Sequence, residues 1–507
     1  MQQLLDAAKV FVDGVSFGDP NLRALNDWLM QQEAARRADY DLFRAYYAGD
    51  HPTELTDRLK KFLNGGLVNG KVQFRDNFCE VVVDALAERL QVTAFDTNEP
   101  DMEGEEKKPI ASWAWDVWEA NRMDEVSGVV HTEAAMVGDS YILVAWDPIE
   151  KRVTFQKQLP ELCMPHYNEE TGKIDVVSKK WIETGIGKAP LTRLNLYYAD
   201  RVEKYRVDGN TWVHHTDPGE TGWPQPWKLS MDADGEPLGV PIFHFRNKPA
   251  GADFGQSELH NATPTQDLLN KTLIDLAMIN DNAGFGRAYT VNMNVDASAV
   301  DMIPGAWWNL KSEDEGNVGS SVGHIPADSP DGALKTIEML VQHIAGTTRT
   351  PQYLFQLMGG APSGESLKVA ESGLVAKAKD RQVKFGNSWE DVMRFALRVQ
   401  QAFGGPLGLP PPGGLDTRFD VQWADPATRN EESHLTALKS KMELGIPEVQ
   451  LWREMGYDQD TIEQMLKDQS DDKVRSANVG SEILRSFTAG GLTGDEGLTD
   501  EGPVAGG

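Results

Sequence analysis

The residues that look most ready for chemistry lie in one short run, Gly359-Gly360-Ala361-Pro362-Ser363-Gly364-Glu365-Ser366. Its two spaced glycines and final hydroxyl have the spacing of a phosphate-cradling loop. Such a loop needs a lysine straight after its second key glycine, to meet the β- and γ-phosphates, and a strand before it. Here Glu365 holds the lysine position and would set a negative charge against those phosphates. The preceding residues 353–357 follow Pro351 and are only weakly strand-like. Nucleotide hydrolysis therefore rests on imperfect spacing alone.

Other catalytic patterns are weaker still. His131-Thr132-Glu133 lacks the spacing that sets two imidazoles on one helical face for zinc. His214 and His215 are adjacent on an expected strand and so point to opposite faces. No GxSxG elbow anchors a hydrolase triad. Asp458-Gln459-Asp460 starts like a calcium loop, but the glycine and bidentate acid do not follow, so a helix cap is the better reading. The sequence calls for no metal and no cofactor.

The chain has 507 residues, enough for two to four structural units, and its 40% hydrophobic content is that of a folded protein. Lys and Arg number 49 against 78 Asp and Glu, a formal net charge of −29. A protein that wraps nucleic acid through its phosphates shows a basic footprint, and this chain as a whole repels DNA. Cys79 and Cys163 lie far apart with no CxxC, which fits a reducing compartment. The start, MQQLLDAAKVFVDG, has no basic n-region and does not read as a signal peptide. No apolar run approaches the roughly 18 residues that span a bilayer. The expectation is a protein made in a cytoplasm and not held in a membrane.

The elements that would position these residues read as α+β, mainly helical. About 135 residues at the N-terminal end have helical spacing, with helices expected from Pro20, over 77–90 and over 110–122. The last carries Trp113, Trp115 and Trp118, read as core packing ahead of an aromatic recognition box. A predominantly β insertion follows at about 139–245, with runs at 140–146, 153–156, 174–182, 194–207 and 212–215. Helix returns at Ser257 and runs to about Phe285. Residues 286–330 are short of regular pattern and hold the paired Trp307-Trp308, read equally as core or as interface. A helix from Gly332 to about Ala345 precedes the glycine loop. A strand at 415–423 and a helical cluster from Asp425 come later, and the Gly-rich acidic residues 489–507 read as a disordered tail.

Between loop and linker lies a helical run from Ser366 to Phe403, about 55–60 Å long if continuous. Gly373 and Gly386 are expected to interrupt or bend it. Between Glu365 and Gln400 it holds seven basic residues and five acids. Lys377, Arg381 and Lys384 share one face at i, i+4, i+7, with Lys368 upstream. The first reading of that face is solvation or salt bridges to an acidic neighbour. The second is a stripe toward a neighbouring subunit or a polyanion. Residues 358–364 carry no charge, three glycines, one proline and one serine, which suits a segment that slides past phosphates without gripping them.

In order and spacing the chain resembles the portal proteins of tailed bacteriophages, over nearly its whole length. The landmarks are Asn77-Phe78, Val83-Asp84 and Leu90-Gln91-Val92; Gly138 to Val144; Gly239-Val240-Pro241-Ile242; Phe245-Arg246-Asn247-Lys248-Pro249; and Phe254-Gly255-Gln256-Ser257-Glu258-Leu259 before a helix holding Asn270. Thr350-Pro351, Trp423-Ala424-Asp425-Pro426, Gly445-Ile446 and Met455-Gly456-Tyr457 complete them. The resemblance implies a ring, usually dodecameric, at one capsid vertex. It implies a wing at 1–254, a first stem helix at 255–285, a clip at 286–330 and a second stem helix at 331–349. A tunnel loop follows at 350–365, then a long wing helix at 366–403, a linker and wing strand at 404–425 and a crown at 426–488.

The resemblance implies further that Gln356, Met358, Gly359, Gly360, Ser363 and Gly364 face DNA in the channel. Lys368, Lys377, Arg381 and Lys384 would meet DNA or a neighbouring subunit. Trp307, Trp308 and Lys311 would dock terminase and later the head–tail adaptor. The implied partners also include the major capsid protein and, as a candidate, a scaffold, with assembly in the host cytoplasm and a final place in the virion. The expected role is a non-enzymatic channel; the alternatives are a nucleotide-dependent DNA-packaging ATPase or another head-assembly protein.

Overall fold

The computed structural model describes residues 20–51, 76–99, 109–184, 189–215, 237–249, 253–284, 287–291, 321–325, 329–355, 364–404, 417–427, 438–455, 457, 461–462 and 464–470. The chain divides into two compact units, Met1–Glu431 and Glu432–Gly507.

In the first unit, helix α1 (Pro20–Tyr47) and α2 (Cys79–Ala87) lead to strand β1 (Val92–Thr97). Helix α3 (Pro109–Ala120) begins on a proline, where the missing N–H costs least. It buries Ile110, Ala111, Ala114, Trp115, Val117 and Trp118, so Trp115 and Trp118 belong to the core and the half-buried Trp113 packs against it. Helix α4 (Met123–Val137) ends at Gly138, whose φ of 104° turns the chain directly into β2 (Asp139–Asp147). Every residue of β2 from Asp139 to Trp146 is buried, because Ile142, Val144 and Trp146 join the main core on one face of the sheet and Tyr141 and Leu143 pack into a second apolar cluster on the other.

β2 pairs antiparallel with β3 (Arg152–Gln158) on one edge and β9 (Ile242–Arg246) on the other. Between them a five-stranded antiparallel meander runs β4 (Cys163–Tyr167), β5 (Ile174–Glu183), β6 (Leu191–Tyr198), β7 (Val202–Asp208) and β8 (Thr211–His214). The run expected over 194–207 is thus two strands, reversed at Asp200-Arg201. β4 was not legible because Pro165 interrupts its pattern; it is tolerated because β4 is the edge strand. Tyr141, Leu143, Cys163, Val177, Tyr197 and Ile242 form the apolar seam between these two sheets.

Helix α5 (Thr263–Gly284) starts later than Ser257, with Pro264 in its first turn. The irregular stretch after it contains a strand pair, β10 (Arg287–Val291) with β11 (Ser321–Ile325). Helix α6 (Asp331–Thr348) packs on α5, and a 3-10 turn, Gln352–Phe355, follows. Helix α7 (Gly364–Val399) continues into a π-helical turn, Gln400–Gly404. It passes unbroken through both glycines. Gly386 is there for contact: a Cβ would stand 3.3 Å from the Trp423 indole nitrogen.

Strand β12 (Phe419–Trp423) pairs with β1, setting Phe95 against Val421 and Thr97 against Phe419. The main core forms where α7 lies against these elements. Leu374, Ala378, Phe385, Trp389, Val392, Ala396 and Val399 make a fully buried helical stripe. Trp389 meets Trp118 at 4.9 Å and Phe245 at 4.5 Å between ring centroids. Its indole N–H donates to Nε2 of His131 at 2.9 Å, and Nδ1 of His131 bonds the Leu90 carbonyl at 3.0 Å.

The second unit contains helix at 438–443, α8 (Glu448–Met455) and helical residues at 461–462 and 464–470. Residues 489–507 lie outside the described residues.

Candidate functional site

Gly138 and Gly255 meet backbone to backbone. A Cβ on Gly255 would stand 2.0 Å from the Gly138 carbonyl oxygen, so neither position accepts a side chain. That contact brings the carboxylate of Asp139 under the 253–258 segment. It accepts from the Gly255 N–H at 2.7 Å, the Tyr40 hydroxyl at 2.7 Å, His244 Nε2 at 2.8 Å and the Arg36 guanidinium. Burial alone would raise its pKa. The His244 bond and the Arg36 charge outweigh burial and hold it below the usual carboxylate range.

His244 also receives the Tyr167 hydroxyl on Nδ1 at 2.7 Å, so Tyr167, His244 and Asp139 align like a proton relay. Chemistry argues against a nucleophile here. Burial pushes the Tyr167 hydroxyl well above its ordinary pKa, and Asp139 is already saturated with donors. The relay holds β4, β9 and β2 together.

One turn further along, Glu258 is buried among three cations. Its carboxylate meets Lys248 at 2.6 Å, Arg381 at 2.9 Å and Lys377 at 3.3 Å, and accepts from the Asn247 amide at 3.1 Å. Burial opposes ionisation, but Lys377, Lys248 and Arg381 together draw its pKa down to about 2. Burial and the neighbouring cations lower the pKa of Lys377, which shares its one carboxylate with two competitors. Lys377 also donates to the Thr348 carbonyl at 2.9 Å, and Arg381 bonds Asn247 and Asp380.

For Lys377 and Arg381 this cluster matches the salt-bridge reading of the basic face, and not a stripe open to a polyanion or a neighbouring subunit. Lys377 and Arg381 are 6% and 3% exposed and face inward, because a buried acid from a distant segment needs partners. Lys384 is half-buried and pairs with Asp380 at 2.8 Å, one turn back on its own helix. Lys368 is exposed. The four do not form one surface.

Where the glycine segment leaves and rejoins the fold, the frame is firmly tied. Arg349 adopts φ 55° at the end of α6, beside Gly373 of α7. The Thr348 hydroxyl donates to the Ile344 carbonyl at 2.7 Å and accepts from the Thr350 hydroxyl at 3.0 Å. Tyr353 donates to Glu371 of α7, which also holds Arg89 at 3.2 Å. Phe355 is buried against Phe78 at 5.6 Å. Of the expected channel residues, Gln356, Met358, Gly359, Gly360 and Ser363 lie outside the described residues, and Gly364 is the first residue of α7. Trp307, Trp308 and Lys311 also lie outside them. Among the described residues the segment before the glycines, Gln352–Phe355, is a 3-10 turn and not the strand that a phosphate cradle requires.

The described residues hold no group of three or more metal-ligating side chains and no helix long and apolar enough to cross a membrane. The organising residues Glu258, Asn247 and Asp139 carried no catalytic spacing in the sequence. Their only signal was their place in the runs Gly138–Val144, Phe245–Pro249 and Phe254–Leu259.

Residues 26–474 match the family described as "Phage portal protein, SPP1 Gp6-like". The chain belongs to the phage portal protein family. It is 25% identical over 396 residues to the portal protein of Mycobacterium phage D29, covering 74% of both chains. It is also 25% identical over 371 residues to the portal protein of Mycobacterium phage L5, covering 68% of both. Its role is that of a phage portal, a capsid-associated oligomer concerned with passage of the genome.

Proposed function

We propose that this portal assembles as a closed ring of about twelve copies at the unique capsid vertex, conducts double-stranded DNA during packaging and ejection, and performs no chemical step itself. The observation that carries the reading is the family match over 26–474. Cyclic closure follows from head-to-tail contacts repeated at a fixed rotation. In this reading 1–254 with α7 and β12 forms the wing, α5 and α6 are the stem helices, 286–330 is the clip, and 426–488 is the crown.

The uncharged residues 358–364 form the loop that borders the channel, mounted on the Tyr353–Glu371 and Lys377–Thr348 ties. The net charge of −29 per copy supports the same reading, since a negative ring does not retain the polyanion a motor drives through it. Trp307, Trp308 and Lys311 are assigned to docking of terminase and the head–tail adaptor, with the major capsid protein and a scaffold as further partners. Assembly takes place in the host cytoplasm.

Electron microscopy of the purified full chain tests the reading. Rings with a central hole are expected; a compact particle without one overturns it. The competing reading, a packaging ATPase, predicts ATP turnover abolished by Ser366→Ala, and is opposed by Glu365 at the lysine position and by the 3-10 turn before the loop.

A further inference from the structure

Helix α7 buries one stripe completely, yet its opposite side is not uniformly polar. Val369 is 76% exposed and Val383 is 65% exposed, and Ala376, midway between them, is exposed too. Single exposed valines need no explanation. A repeat of seven on one helix is different, because it aligns the three side chains into a ridge about 21 Å long, the geometry by which one helix seats against another element.

The polar residues beside this ridge are unlike the rest of the chain. Exposed Lys368 and Lys379 and half-buried Lys384 accompany it, with Asp380 as the acid among them. Next to Val383 the helix borders an open groove of about 430 Å³ between α7, β9 and the β4–β5 turn. Three cations line that groove, Lys173, Arg246 and Lys384, against one carboxylate, Asp391. A chain of net charge −29 has thus gathered an excess of positive charge around one apolar ridge.

We propose that the Val369–Ala376–Val383 ridge of α7, together with the Lys173/Arg246/Lys384 groove, docks an acidic face of a second copy of this chain. The occupant follows from charge complementarity: each copy carries 78 acids against 49 Lys and Arg, so a neighbour's surface supplies the opposite sign. The apolar ridge supplies area that leaves water on docking, which a phosphate backbone would not cover. The proposal rests on the oligomeric portal reading and names where one copy meets the next.

The test compares the full-length wild type with Val369→Asp/Val383→Asp and with Lys379→Glu/Lys384→Glu, by native mass spectrometry and sedimentation over a range of concentration and salt. The residues are exposed or half-buried, so far-UV circular dichroism of the dissociated chain should be unchanged and its melting should shift only slightly, by the loss of the Lys384–Asp380 pair in the lysine variant. Expected is at least a tenfold rise in the concentration for half-assembly in both variants, with the wild type weakening as salt rises. Assembly unaffected in both variants overturns this surface and leaves the portal reading standing. Loss of duplex-DNA binding with assembly intact also overturns it, making a polyanion the occupant. A wild type that stays monomeric overturns the ring reading and this surface with it.

Discussion

Asp139 and Gly255, 116 residues apart in sequence, are joined by a 2.7 Å bond from the Gly255 amide to the Asp139 carboxylate. The bond forms only because Gly138 and Gly255 lack side chains. Gly255→Ala places a methyl 2.0 Å from a carbonyl oxygen and forces backbone apart, an overpacking that exceeds about 3 kcal/mol. Gly128→Ala is the counterpart: nothing lies within 4 Å of its added methyl, and mid-helix the exchange gains about 1 kcal/mol. Thermal melting of both variants should move in opposite directions; equal shifts would refute the contact.

Glu258→Gln leaves the buried Lys377 without a counter-charge and Arg381 with only the half-exposed Asp380. Removing one partner of a buried ionic cluster costs about 3–5 kcal/mol. Lys384→Ala removes only the i,i+4 pair with the half-exposed Asp380, so its cost stays below about 1 kcal/mol. Urea unfolding separates the two, and comparable losses would deny Glu258 its organising place.

Acid should unfold the first unit in two windows. Burial draws His131 down to about 4 from 6.5, so the unfolded chain takes up the proton first and stability falls as pH drops between those values. Glu258, lowered from 4.5 to about 2, contributes stability that is present above 4.5 and lost toward 2. Each accounts for about 3 kcal/mol. His131→Gln should flatten the upper window and Glu258→Gln the lower, as read from urea midpoints against pH; unchanged slopes in both would count against these assignments.

The frame of the glycine segment is testable without the segment. Phe355→Ala removes a buried ring packed on Phe78 and should cost about 3 kcal/mol. Tyr353→Phe deletes one hydrogen bond to Glu371, which keeps Arg89, and should cost about 1 kcal/mol. Amide exchange in Gln352–Phe355 should accelerate in both; protection unchanged by Phe355→Ala would show that the turn is held elsewhere.

Periodicity made the tryptophans of α3 legible as core, because apolar spacing depends on the helix alone, and it gave α7 its extent without its buried stripe. It did not reveal which charged face turned inward. Lys377 and Arg381 look like any solvated pair until Glu258, more than a hundred residues earlier, comes beside them. The β10–β11 pair escaped notice for a related reason: about thirty residues separate its strands, so no tight-turn signal joins them. The ridge at Val369, Ala376 and Val383 gave no signal because three small apolar residues seven apart, set among charged ones, stand out only once the opposite side of the helix is seen to be buried.

The pairing of β1 with β12 sets an order of events during synthesis. Val92 has left the ribosome long before Trp423 is made, so the sheet edge beside Phe95 must wait through more than three hundred further residues. Non-local closure of this kind is late and slow. A nascent chain therefore cannot close the β1–β12 pair, or the part of the core that α7 forms against β12, until residues 419–423 have emerged.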